Sequence, residues 1–186
     1  GGGGVGYDMY LRLINRSLHE SVRPGPVLSV LLEDVSVSIY KKRCIPIEYV
    51  SAEDLRLSFY KNLASASSKK DLEDIVYNLL NRFGPLPVPF QNLLKEYRLR
   101  LIACEAGVSQ ISSRGCGIVC KIIIRKSDAF VSAIIDYLKA FLNKGGASFH
   151  VLPGSSVGLS LCIHVPVKID KYTLLSQLLN KFITIK

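Results

Sequence analysis

At 186 residues and 48% hydrophobic content, the chain is long enough for one packed domain and too apolar to be disordered. Lys and Arg number 24 against 15 Asp and Glu, and the resulting +9 favours contact with something anionic, most simply nucleic acid; a plainly solvated surface is the alternative. Five cysteines without framework spacing point to reduced, cytosolic thiols, no apolar run approaches a membrane span, and no signal-peptide pattern opens the chain.

Gly1 to Gly4 read as a linker or cloning remnant, since no strand precedes them and no Lys-Ser/Thr follows. Tyr7, Leu11, Ile14 and Leu18 predict a helix from Val5 to about Glu20, which Pro24-Gly25-Pro26 breaks. His19 near its end reads as a surface residue. Val27 to Val50 reads as strand, with Val35, Val37 and Ile39 alternating with Ser36 and Ser38. Lys41-Lys42-Arg43 make a basic bend, and Pro46 marks an edge or a strand start.

Three helices are expected next. Leu55, Phe59 and Leu63 stack in the first. The second carries Leu72, Ile75, Val76, Leu79, Leu80 and Phe83 on one stripe, with Asp71, Asp74, Asn78, Asn81 and Arg82 opposite. Burying those six side chains is worth about 1.5–3 kcal/mol each before entropy. Ser68 stands three residues before Asp71, close to a capping box, while Lys69 and Lys70 oppose the dipole. Gly84 suits a left-handed closure and Pro85 forbids continuation. In the third, Phe90, Leu94, Tyr97 and Leu101 stack, with Lys95, Arg98 and Arg100 outside. Tight connectors predict one packed helical layer.

Beyond Gly107 the spacing predicts a strand at Val108 to Ser112, a turn at Arg114 to Gly117 and a β-branched strand at Ile118 to Ile124. Gly115-x-Gly117 leads into a strand rather than a helix, so a dinucleotide loop is excluded. Ser127 opens a helix to about Asn143 carrying Phe130, Ile134, Ile135, Leu138 and Leu142, closed by Gly145-Gly146. Strands follow at Phe149 to Leu152 and Val157 to Val165 around Pro153-Gly154, and Asp170 caps a last helix with Leu174, Leu178 and Phe182. The fold class is α+β, or mixed α/β: a compact single domain with a three-helix central layer on a small, mostly antiparallel or mixed sheet.

No catalytic constellation is apparent: no nucleophile elbow, HExxH, P-loop or CxxC. Glu73-Asp74 read as solvated charge, and His19, His150 and His164 lie far apart in sequence, with His164 alternating with Cys162 as a structural strand residue. Cys116 and Cys120 have no histidine near them in sequence, so no metal site is expected. A binding or regulatory domain fits better than an enzyme.

An ordered set of segments resembles the C-terminal domain of the bacterial transcription-repair coupling factor. It runs Val5-Gly6-Tyr7-Asp8-Met9-Tyr10, Ile45-Pro46 with Tyr49-Val50, Arg56-Leu57-Ser58-Phe59-Tyr60-Lys61, and Arg82-Phe83-Gly84-Pro85-Leu86-Pro87. The match covers roughly Val5 to Ile111, and the remainder agrees in pattern and length. The resemblance implies that residues 5–186 are the non-catalytic regulatory tail of an ATP-driven DNA translocase that acts on stalled RNA polymerase in the bacterial cytoplasm. ATP and Mg would belong to a motor outside this chain, leaving no cofactor here. The tail would pack on the protein's own N-terminal, excision-repair-like module and mask the surface that recruits the damage-recognition protein. Duplex DNA and RNA polymerase would be indirect partners, and the membrane none.

On this resemblance Asp74, Asn78, Asn81 and Arg82 are the expected interdomain contacts, and Phe59, Leu79, Phe83 and Gly84 the structural residues beneath them. Relatives commonly read Glu-Leu-x-Asp-Arg-Phe-Gly where this chain has Asn78-Leu79-Leu80-Asn81-Arg82-Phe83-Gly84. Both acidic positions are amides, and neutral hydrogen bonds are about half as strong as charge-assisted ones. A basic nucleic-acid-binding accessory domain is the alternative, although no basic–aromatic motif of an RNA-binding sheet is present.

Overall fold

The computed structural model describes residues 30–115, 117–122, 128–152 and 159–184. The expected helix at 5–20 with His19, Gly1 to Gly4, Cys116, Ile123, Ile124, Ser127 and Pro153-Gly154 lie outside them. The described elements are β1 (Ser36–Ser38), α1 (Glu53–Ser65), α2 (Lys69–Phe83), α3 (Val88–Ala106), β2 (Val108–Arg114), β3 (Gly117–Ile122), α4 (Asp128–Gly145), β4 (Ser148–Val151), β5 (Leu159–His164) and α5 (Lys171–Thr184). The architecture is α+β, with a mixed sheet in the order β1-β2-β3-β5-β4. β1 runs parallel to β2, and the pairs β2/β3, β3/β5 and β4/β5 are antiparallel.

Two hydrophobic clusters divide the molecule. One gathers Ile45, Val50, Phe59, Leu63, Leu72, Leu79, Phe90 and Leu94 among the three consecutive helices. The other lies between the sheet and α3, α4 and α5, with Ile111, Ile118, Leu161 and Ile163 from the strands and Leu138, Leu142, Leu175 and Leu178 from the helices. Helix α3 joins them: Phe90, Leu93 and Leu94 serve the first cluster, and Leu99, Ala103 and Ala106 the second. The helical layer meets the sheet chiefly through α3, which packs on β1 and β2.

Several expectations need correction. In the described part of the expected strand region, residues 30–50, only Ser36–Ser38 is extended in a ladder; Leu32–Asp34 is a 3-10 turn. The stretch from Ile45 to Val50 is a turn in which Tyr49 N and Val50 N both donate to Pro46 O. Its apolar residues are there for the helical core, since Ile45 and Val50 are buried in it. The stripe on α2 is also narrower than its period suggests. Leu72 and Leu79 are fully buried, Ile75, Val76 and Phe83 partly so, and Leu80 is 42% exposed.

Arg100 is not an outward residue. Its guanidinium donates to Val35 O at 3.1 Å, Leu32 O at 2.9 Å and Ala64 O at 3.2 Å, fastening the 3-10 turn and the end of α1 to α3. A rigid fork with five donors can serve three carbonyls at once.

On the sheet, alternation and register separate two faces. Ile111, Cys120, Leu161 and Ile163 point into the core. The next residues along each strand, Ser112, Val119 and Cys162, therefore form a row on the outer face, continued by Ser38 on β1 and His150 on β4.

Candidate protein-interaction surface

Helix α2 is set by its ends. Ser68 Oγ accepts from Asp71 N at 3.1 Å, and Asp71 Oδ2 accepts from Ser67 N and Ser67 Oγ. The Ser67 amide and the Ser68 hydroxyl hold the Asp71 carboxyl below its ordinary value of 3.8. At the other end Gly84 has φ 85°, and its N–H returns to Leu80 O at 3.0 Å. A side chain there would be strained, which is why glycine closes the helix.

Beneath the helix lies an aromatic cluster. Tyr49 packs on Phe83 and Phe90 with ring centroids 5.8 and 6.1 Å apart, and Phe59 meets Phe83 edge-on at 6.2 Å. The Tyr49 hydroxyl lies 2.7 Å from Gly84 O and 3.2 Å from Leu79 O, where it donates to the end of the helix. Phe59 and Leu79 are buried, while Phe83 and Gly84 are half-buried at the corner. Sequence patterning did not single out Tyr49; its hydroxyl matters because helix ends leave carbonyls unpaired.

Asp74, Asn78 and Asn81 share the outward face of α2, and all three are exposed. Asp74 lies 4.0 Å from Lys70 and Glu73 3.9 Å from Lys69, each across one helical turn. Such exposed pairs contribute about 0.3–0.5 kcal/mol, which fits solvated charge rather than acid–base chemistry. Arg82 is exposed too, but its guanidinium lies over the Phe83 ring at 5.2 Å and near Phe59 at 5.9 Å. It forms the rim where the polar face meets the aromatic cluster.

The face also carries Tyr77, 69% exposed, which the sequence reading missed. The signal was available: Tyr77 follows Asp74 by three residues and precedes Asn81 by four, so it shares their face. A large aromatic among hydrogen-bonding side chains is the composition of an interface anchor. Leu80 extends the apolar area along one flank.

Among the described residues, metal-ligating atoms converge at His150, Cys162 and His164 on the sheet, not on α2. No described helix is long and apolar enough to cross a membrane.

The sequence pattern of the TRCF domain family matches residues 40–131. Transcription-repair-coupling factors are similar to this chain: that of Mycobacterium tuberculosis (strain CDC 1551 / Oshkosh) is 30% identical over 124 residues, and that of Escherichia coli (strain K12) 31% identical over 116. These alignments take in 62% and 61% of this chain, and the chain spans about 10% of the length of each relative. A crystal structure of the C-terminal domain of transcription-repair coupling factor shares the fold, with a TM-score of 0.62 and 18% identity over 82% of this chain and 94% of that one. Through residues 40–131 the chain belongs to the TRCF domain family.

Proposed function

We propose that this chain is a protein-interaction domain of a transcription-repair coupling factor, and that it works by covering rather than by turnover. On this reading it docks on an N-terminal, excision-repair-like module of the same protein. There it masks the surface that recruits the damage-recognition protein until RNA polymerase and DNA are engaged. The motor, with its ATP and Mg, lies elsewhere in the parent protein, which acts in the cytoplasm.

The observation that carries the proposal is the outward face of α2: Asp74, Asn78 and Asn81 all exposed around Tyr77, with Arg82 at the rim. The helix beneath it is fixed by the Ser68 cap, the Tyr49 hydroxyl and Gly84. A surface rigid before it binds loses less entropy on docking. Holding the covered form about a hundredfold over the open one needs only about 2.7 kcal/mol of differential contact, within reach of one helix face. Neutral Asn78 and Asn81 make that contact weaker than a pair of carboxylates facing arginines would.

Titration of this chain with the separate N-terminal module tests the reading. Asn78→Lys with Asn81→Lys is expected to weaken binding at least about tenfold; an unchanged affinity would remove α2 from the interface.

The +9 charge favours a second reading, a basic accessory domain for nucleic acid. Duplex binding by the isolated chain that falls steeply with salt would support it. The covering role predicts negligible duplex binding at physiological salt.

A further inference from the structure

We propose that His150, Cys162 and His164 form a zinc-binding site on the outer face of the sheet. Strand register brings them together: His150 on β4 is the direct cross-strand partner of Cys162 on β5. His164 follows Cys162 by two residues and so projects from the same face. Opposed residues in an antiparallel pair have Cβ atoms about 4.5–5.5 Å apart, and three such side chains converge over one spot.

The distances fit one ion. A ligand atom from each of the three lies within 4.8 Å of the other two. His164 Nε2 and His150 Nδ1 are 3.3 Å apart, with the rings 24° from parallel. Two imidazole nitrogens held tetrahedrally at zinc distances of about 2.0–2.1 Å stand about 3.3–3.4 Å from each other. The histidines are thus already at the spacing a shared ion requires. A proton shared between two rings would explain that spacing, but not the third ligand beside them.

The sulfur has a built seat. Cys162 is only 7% exposed, between two exposed histidines. Gly117 of β3, paired with His164, leaves room for it: a Cβ at 117 would lie 2.9 Å from Cys162 Sγ. One thiolate and two imidazoles make a nitrogen–sulfur set that suits zinc and disfavours magnesium or calcium. Binding releases the Cys162 thiol proton to solvent. Three protein ligands leave the fourth position to water or to a group brought by another molecule. The ion would also tie the edge strand β4 to β5, adding a cross-link to the ladder. The site is independent of the α2 surface and stands or falls without it.

Cobalt titration of the untagged, reduced chain tests this, because tetrahedral cobalt reports both geometry and thiolate ligation in its absorption. The expected result is one Co²⁺ per chain, a thiolate-to-cobalt charge-transfer band, and displacement by Zn²⁺. Cys162→Ser should abolish the band. His150→Ala and His164→Ala, both at exposed positions where folding tolerates change, should each weaken binding at least about tenfold, with circular dichroism unchanged. Absence of the band in the parent chain would overturn the proposal. So would a band that survives Cys162→Ser, since Cys44 and Cys104 are also partly exposed thiols, or one indifferent to both histidine variants.

Discussion

Glu96 and Arg43 meet across 53 residues of sequence, the guanidinium on Oε1 of a carboxylate that is 3% exposed. Oε2 of the same carboxylate accepts from Ile39 N at 2.7 Å and Tyr40 N at 3.0 Å. Arg43 also donates to Val37 O at 3.1 Å. The pair therefore closes the chain leaving β1 against α3, on the helix that both hydrophobic clusters share. Among the described residues Glu96 is the one buried charged group.

Glu96→Ala is expected to cost about 3–5 kcal/mol, because two amides and a guanidinium lose their acceptor while partly out of water. Glu96→Gln keeps one acceptor and should cost less, about 1–3 kcal/mol. Urea unfolding with unchanged m-values checks both. Equal losses in the two variants would mean that the charge and paired oxygens of the carboxylate set the whole effect, and that neither packing nor one retained acceptor contributes.

Tyr49→Phe keeps the ring stack and removes the hydroxyl at Gly84 O and Leu79 O. A loss of about 0.5–1.5 kcal/mol is expected. Amide hydrogen exchange should rise most over the last turn of α2, which loses its outside partner. A uniform rise along the chain would show that Tyr49 acts on the whole domain.

Acid should loosen two helix starts. Asp170 is held below its ordinary value of 3.8, first by the Thr173 hydroxyl at 2.6 Å and also by the Thr173 amide at 3.1 Å. Asp71 is lowered in the same sense by the Ser67 amide. A folded-state value below the unfolded one gives stability that is fully present above the ordinary carboxylate range and is lost as pH falls through the lowered values. Asp170→Ala should cost about 1 kcal/mol at neutral pH, as loss of an N-cap does, and should flatten the acid limb of stability against pH. A variant with the parent's acid limb would exclude Asp170 as its source.

Tyr77→Ala separates binding from folding. Its exposure predicts a stability change within about 0.5 kcal/mol. Its place at the centre of the α2 face predicts binding to the N-terminal module weakened about thirtyfold, the size of an anchor residue's loss. Thermal unfolding and calorimetric titration give the two numbers. A fall in Tm with unchanged affinity would make Tyr77 part of the fold instead of the interface.

The local elements were legible because they rest on neighbours in sequence. Leu72 and Leu79 fall on one helix face by period alone, Ser68 and Gly84 fix the ends of that helix by their own chemistry, and Asp170 caps the last one. The order and spacing of short segments carried the family resemblance as well. Apolar content without a ladder partner was misleading: Ile45 and Val50 look like strand residues and are buried in a turn.

What sequence could not supply was every relation set by long-range pairing. Arg100 reads as a surface cation until three carbonyls from 32, 35 and 64 are brought to it. Nothing near Glu96 in sequence marks it as a buried acceptor; β1's exit folding over it does. His150 and Cys162 are twelve residues apart with no motif between them. Only the β4/β5 register makes them neighbours, and a slip of one residue would turn one of them to the opposite face. Periodicity and end chemistry act within a few residues and are written in the chain; register and burial depend on which distant segments the packed core admits, so they are decided only when it forms.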